Sequence, residues 1–85
     1  MKTAVRIALA NVRPASSPDE SVELTGAAIR SAADKRAAIV CFPEGYVPGY
    51  RTPESRIPPP DAAFLSRAWA DIAAAGGAAN NVVGL

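Results

Sequence analysis

Val5, Ile7 and Leu9 alternate with Ala4, Arg6, Ala8 and Ala10 near the start of the chain. That two-residue period predicts a strand with small side chains on its second face, and Pro14 ends it. Ser17-Pro18-Asp19-Glu20 then reads as a helix start. Ser17 is the expected N-cap, Pro18 occupies the first helical position, and Glu20 completes an S-x-x-E capping box. Asp19, Glu20 and Glu23 place negative charge in the first turns, where the helix dipole favours it. Val22, Gly26, Ile29 and Ala33 recur at four, three and four residues, a stripe expected to face a sheet. Arg30, Lys35 and Arg36 lie toward the other end, where the dipole favours cations.

Ala38 to Phe42 is wholly apolar, with Ile39 and Val40 at its centre. An uninterrupted apolar run of this length predicts a parallel strand covered on both faces. Strand, capped helix and strand form a βαβ unit with a right-handed crossover. Six of the eight prolines (43, 48, 53, 58, 59 and 60) then fall between residues 43 and 60, with Gly45 and Gly49. No regular element fits there, and a loop this long is usually functional or disordered. Asp61 is the expected cap of a second helix whose apolar face is Leu65, Ala68, Trp69, Ile72 and Ala73. Gly76 and Gly77 weaken its end, and Asn80 or Asn81 terminates it. Val82-Val83-Gly84-Leu85 begins a third strand. The fold class is α/β with the order β-α-β-α-β, in one domain over residues 1–85.

Composition thins the core that these elements can build. Of 85 residues, 49% are hydrophobic, but 19 are alanines. Leu, Ile, Val and Phe make up only slightly more than the ~20% associated with disorder, and a domain this short buries roughly 60% of its unfolded surface. A deep enclosed pocket is therefore hard to form. Nine Lys+Arg against eight Asp+Glu give a net charge of +1 with no basic block, so the electrostatic footprint of a nucleic-acid partner is missing. One cysteine and no histidine exclude a disulfide framework and a Cys/His zinc site. The N-terminal apolar stretch is interrupted by Arg6 and is too short for a signal peptide. The uncharged run from Ile72 to Leu85 is too short to span a bilayer, which needs ~20 residues. A soluble, cytoplasmic protein without a membrane partner is the expectation.

In an open α/β sheet, ligands bind outside the carboxyl ends of the strands. Glu44 stands there, two residues past Phe42, on a backbone fixed by Pro43 and freed by Gly45. Beside Phe42, Tyr46 and Tyr50 its carboxylate would be partly desolvated, the environment that suits a general base near neutral pH. Position alone fits a solvated loop residue or a cap better. Lys35 lies before the strand on a face expected to be solvated. Cys41 lies inside the apolar strand, where a thiol behaves as a small hydrophobe. Neither is a credible catalytic partner.

The string Val40-Cys41-Phe42-Pro43-Glu44-Gly45-Tyr46-Val47-Pro48-Gly49-Tyr50 closely resembles the segment around the first catalytic residue of the carbon–nitrogen hydrolase (nitrilase) superfamily. The strand Val5 to Asn11 and the helix start at Ser17 resemble the opening of that fold, so the likeness runs from Lys2 into the third strand. F-P-E followed by P-G-Y is its most specific part. The resemblance implies an incomplete part of an α-β-β-α sandwich in which two sheets pack face to face. It also implies a Glu–Lys–Cys triad. Cysteine attacks a nitrile or amide carbon, glutamate is the general base, and lysine stabilises the tetrahedral intermediate. A thioester forms and is hydrolysed, without metal or organic cofactor. Glu44 corresponds to the glutamate, with Tyr46 and Tyr50 as candidate substrate contacts. The family's lysine and cysteine fall beyond Leu85, so the chain reads as an amino-terminal fragment, inactive alone, of a parent expected to be a homo-oligomer. Its substrate would be a small amide, carbamoylated amine or nitrile. Asn11 stands where many relatives carry glutamine.

Two other classes remain. A non-catalytic α/β interaction module could use the Pro-rich loop 43–60, with Pro58-Pro59-Pro60 as a polyproline II ligand. Arg51 is expected to be solvated. A nucleotide-binding module is disfavoured, because Asn11-Val12-Arg13-Pro14 has no glycine to cradle phosphate.

Overall fold

The computed structural model describes residues 4–49, 57, 61–79 and 82–84. Their elements are β1 (Ile7–Leu9), α1 (Pro18–Asp34), β2 (Ile39–Cys41), α2 (Ala62–Ala79) and β3 (Val82–Gly84). The strands form one parallel sheet in the order β1-β2-β3. Ile7, Ala8 and Leu9 lie opposite Ile39, Val40 and Cys41, which lie in turn opposite Val82, Val83 and Gly84. The backbone bonds Ala38 N–H to Arg6 O, Ala10 N–H to Cys41 O and Phe42 N–H to Gly84 O extend the ladder past the strand ends. The expected α/β order is the observed one.

α1 begins as its sequence dictates. Ser17 has extended dihedrals, its Oγ accepts from the Glu20 backbone N–H at 3.1 Å, and Pro18 opens the helix. The return half of the capping box differs from expectation. The Glu20 carboxylate accepts from the backbone N–H and hydroxyl of Ser16, one residue earlier, and from Arg13 at 2.8 Å. Arg13, held at this distance, lowers the Glu20 pKa to about 2, with the Ser16 backbone bond acting in the same direction. The same carboxylate raises the pKa of Arg13.

At the other end, Lys35 is the C-cap and Arg36 takes the left-handed conformation with φ 59°. Arg36 N–H bonds to Ala33 O and Ala37 N–H to Ala32 O, the pair of bonds that closes a Schellman motif. No basic residue lies in the last helical turn itself, but Lys35 and Arg36 follow directly at the helix end, where cations were expected. A further cation comes from outside the helix: the Arg6 guanidinium donates to Lys35 O at 2.6 Å.

The buried stripe of α1 is Ser21, Thr25, Ile29 and Ala32, rotated from the expected one. Of the expected residues only Ile29 is buried, while Val22, Gly26 and Ala33 are half-buried. Ser21 is tolerated there because its hydroxyl donates to Pro18 O at 2.6 Å. Among the described residues, the buried Thr25 hydroxyl has no hydrogen-bond partner.

α2 is capped by Asp61, whose carboxylate accepts from Phe64 N–H at 2.7 Å. Its buried face is Phe64, Ala68, Ile72 and Gly76. Leu65, Trp69 and Ala73, expected on that face, are exposed. The reason is compositional: with apolar residues nearly all round the helix, periodicity does not choose a side. Gly76 and Gly77 are accommodated within the helix. Gly76 lies on the buried face of the helix and Gly77 is exposed.

Ile29 and Ala32 of α1, Val40 and Phe42 from the second strand, Tyr46, and Ile72 of α2 form one core, with Ala8 and Ala10 packed against it. Both helices therefore cover the same face of the sheet. Two successive parallel crossovers of one hand, stepping the same way across the sheet, produce this arrangement. The opposite face is open. Ile7 is 55% and Leu9 80% exposed, with Val5 beside them at 60%, and Ile39 and Cys41 are half-buried. β2 is thus parallel as expected but, among the described residues, covered on one face only.

Candidate active site

Residues beyond the carboxyl end of β2 are built around a tight turn. Tyr46 N–H bonds to Pro43 O at 3.2 Å and Gly45 has φ 74°. A four-residue turn with positive φ at its third position is of type II, which selects glycine there. Glu44 occupies the second position, at the tip. Its side chain is exposed and makes no hydrogen bond or ion pair among the described residues. The expected desolvation of this carboxylate is not provided by the described neighbours, since Glu44 is exposed at the tip of the turn. Gly49, at φ 131°, closes the segment. A Cβ there would lie 3.2 Å from Ile57 Cδ1, so both conformation and space require glycine.

The residues flanking Glu44 are firmly held. Phe42 is buried, and its ring lies 6.0 Å from that of Tyr46 with the planes inclined at 30°. Tyr46 is 2% exposed, and its hydroxyl donates to Arg13 O at 2.8 Å. Packing and anchoring are what this geometry provides among the described residues. The bond joins the turn after β2 to the segment after β1. Arg13 belongs in turn to the Glu20–Ser16 network at the start of α1. Sequence reasoning missed this connection. Its only signal was the tyrosine two residues after the glutamate, which by itself does not point to Arg13.

A groove of about 240 Å³ runs between this turn and α2, lined by Gly45, Tyr46, Val47, Leu65, Trp69 and Ile72. Trp69 is 72% exposed along it. Glu44 is not among its lining residues.

The remaining candidates separate clearly. Lys35 is exposed beyond the opposite end of β2 from Glu44. Cys41 is a half-buried free thiol in the strand, with its Sγ beside Gly84 of β3. Among the described residues, neither shares a pocket lining with Glu44. Tyr50, Arg51 and the Pro58-Pro59-Pro60 run lie outside the described residues. Among the described residues, no helix is long and apolar enough to cross a membrane.

No curated protein and no solved structure matches the chain. The carbon–nitrogen hydrolase family matches it over residues 6–81, from the strand that carries Arg6 through the Glu44 turn and α2. With nearly its whole length matched, the chain belongs to the carbon–nitrogen hydrolase family.

Proposed function

We propose that Glu44 is the general base of an enzyme that hydrolyses a non-peptide carbon–nitrogen bond in a small amide, carbamoylated amine or nitrile. The observation that carries this reading is the placement of Glu44 in a family member. It stands at the tip of a glycine-dependent turn, just past the carboxyl end of the central parallel strand. Substrates of α/β sheets bind at such strand ends. A carboxylate fixed at both flanks but free at its tip can take a proton from a nucleophile brought to it.

The nucleophilic cysteine and the lysine are supplied, in this reading, by sequence following residue 85. Cys41 and Lys35 do not substitute for them, and covalent catalysis requires its groups together. The same reading makes residues 1–85 the amino-terminal part of a single domain. The exposed Ile7 and Leu9 face is then the surface that a second sheet covers in an α-β-β-α sandwich, which would also desolvate the neighbourhood of Glu44.

The reading frame after codon 85 tests this. A continuing frame carrying a lysine, and later a cysteine in a strand-to-helix turn, is the expected result. A stop codon with no such sequence in any frame would contradict it.

A further inference from the structure

We propose that Tyr46 is a positioning residue for Glu44, acting through its hydroxyl bond to the Arg13 carbonyl. This rests on the reading of Glu44 as general base and extends it to what holds that base in place. A carboxylate at the second position of a four-residue turn has its direction set by the residues on either side. On one side Phe42 is fixed by the ladder bond of its N–H to Gly84 O. On the other, the ties that hold Tyr46 include its backbone bond to Pro43 O, ring contact with Phe42, and the hydroxyl bond to Arg13 O.

The third tie differs in kind from the other two, because it reaches a different loop. Arg13 lies after β1, and its guanidinium is held by the Glu20 carboxylate, which also accepts from Ser16 N–H. The turn bearing Glu44 is thereby registered against the start of α1 as well as against its own strand. Gly45 gives the turn its shape but also removes local stiffness. The anchor beyond it limits how far the tip can move. A misplacement of about 1 Å at a reacting group costs up to about a hundredfold in rate.

Tyr46→Phe keeps the ring and removes the hydroxyl with its bond to Arg13 O, and the test uses the complete enzyme carrying this chain. Hydrogen exchange is read first. The Gly45 and Tyr46 amides are expected to exchange about tenfold faster, with α1 unchanged. Turnover is read next, as ammonia release from an aliphatic amide, an N-carbamoyl amino acid and an aromatic nitrile. The expected result is a fall in kcat of about tenfold to a hundredfold with KM nearly constant. Unchanged exchange at the turn overturns the proposal. So does faster exchange spreading through α1, which would make Tyr46 a packing residue of the whole core. Glu44→Gln is run beside it to separate the two claims. If Glu44→Gln is inactive and Tyr46→Phe has full kcat, positioning fails while the base assignment stands. If Glu44→Gln retains full activity, the base assignment fails and the positioning role fails with it.

Discussion

Thr25 is the residue whose chemistry fits its surroundings least. It is fully buried on α1, and its hydroxyl has no hydrogen-bond partner among the described residues. Burying an unpaired hydroxyl costs about 1–3 kcal/mol by mutational measures. Thr25→Val keeps the branched shape and removes the oxygen, so it should raise unfolding free energy by about 1 kcal/mol. A denaturant midpoint that falls on this substitution would show that the hydroxyl has a partner in solution. Ser21, one turn earlier, is the contrasting case: its hydroxyl is satisfied by Pro18 O. These two polar residues also explain why the buried stripe was not legible. A search for apolar periodicity passes over Ser21 and Thr25 and settles on Val22 and Gly26, one position around the helix. Glu44 was singled out by the family resemblance of its F-P-E and P-G-Y strings, since its position alone fits a solvated loop residue better. The bond from Tyr46 to Arg13 spans 33 residues and leaves no such local string.

Among the elements, α1 shows how far local rules carry. Its start at Ser17-Pro18 follows from capping chemistry alone, as does the Asp61 cap of α2, because donor and acceptor lie three residues apart. Its far end does not. The left-handed Arg36 and the Arg6 guanidinium on Lys35 O depend on where β1 lies after folding. The face of α2 was equally hidden, since Leu65 and Trp69 are as apolar as Phe64 and Ile72. The start of α1 also gives a pH dependence. Glu20 has its pKa lowered from 4.5 to about 2, chiefly by the Arg13 bond. A carboxylate with a depressed folded-state pKa binds fewer protons folded than unfolded. Its contribution to stability is therefore complete above the unfolded value and is lost as pH falls from about 4.5 through about 2. At the surface solvent screening keeps the effect small. Thermal melts across that window should show a decline that Glu20→Gln removes. An identical decline in the variant would assign it to other carboxylates.

For the whole molecule, the distribution of large and small side chains across the sheet is the informative feature. Ala8 and Ala10 lie against the helices, while Ile7 and Leu9 face outward with Val5 beside them. On β1, small residues under the helices and large residues left exposed are the reverse of what a freestanding two-layer domain requires. The arrangement suits a sheet that is covered on its second face by something else. Leu9→Lys distinguishes the cases. In the isolated 85 residues it should leave stability within about 0.5 kcal/mol, as surface substitutions do. In the complete enzyme it should cost several kcal/mol, the penalty for an unpaired charge in a core. Equal small effects in both would mean that no second sheet covers Leu9. The element order and the parallel pairing of the first two strands were legible from the βαβ pattern, but which face remains open is decided by packing partners that local sequence does not specify.

The central claim is that Glu44 is the general base of a carbon–nitrogen hydrolase, and ammonia release by the complete enzyme carrying Glu44→Gln tests it most directly. The substitution keeps the size of the side chain and removes its ability to accept a proton. A fall in kcat of about a hundredfold to ten-thousandfold, with thermal stability unchanged, is the predicted result. Turnover equal to that of the unmodified enzyme would contradict the account.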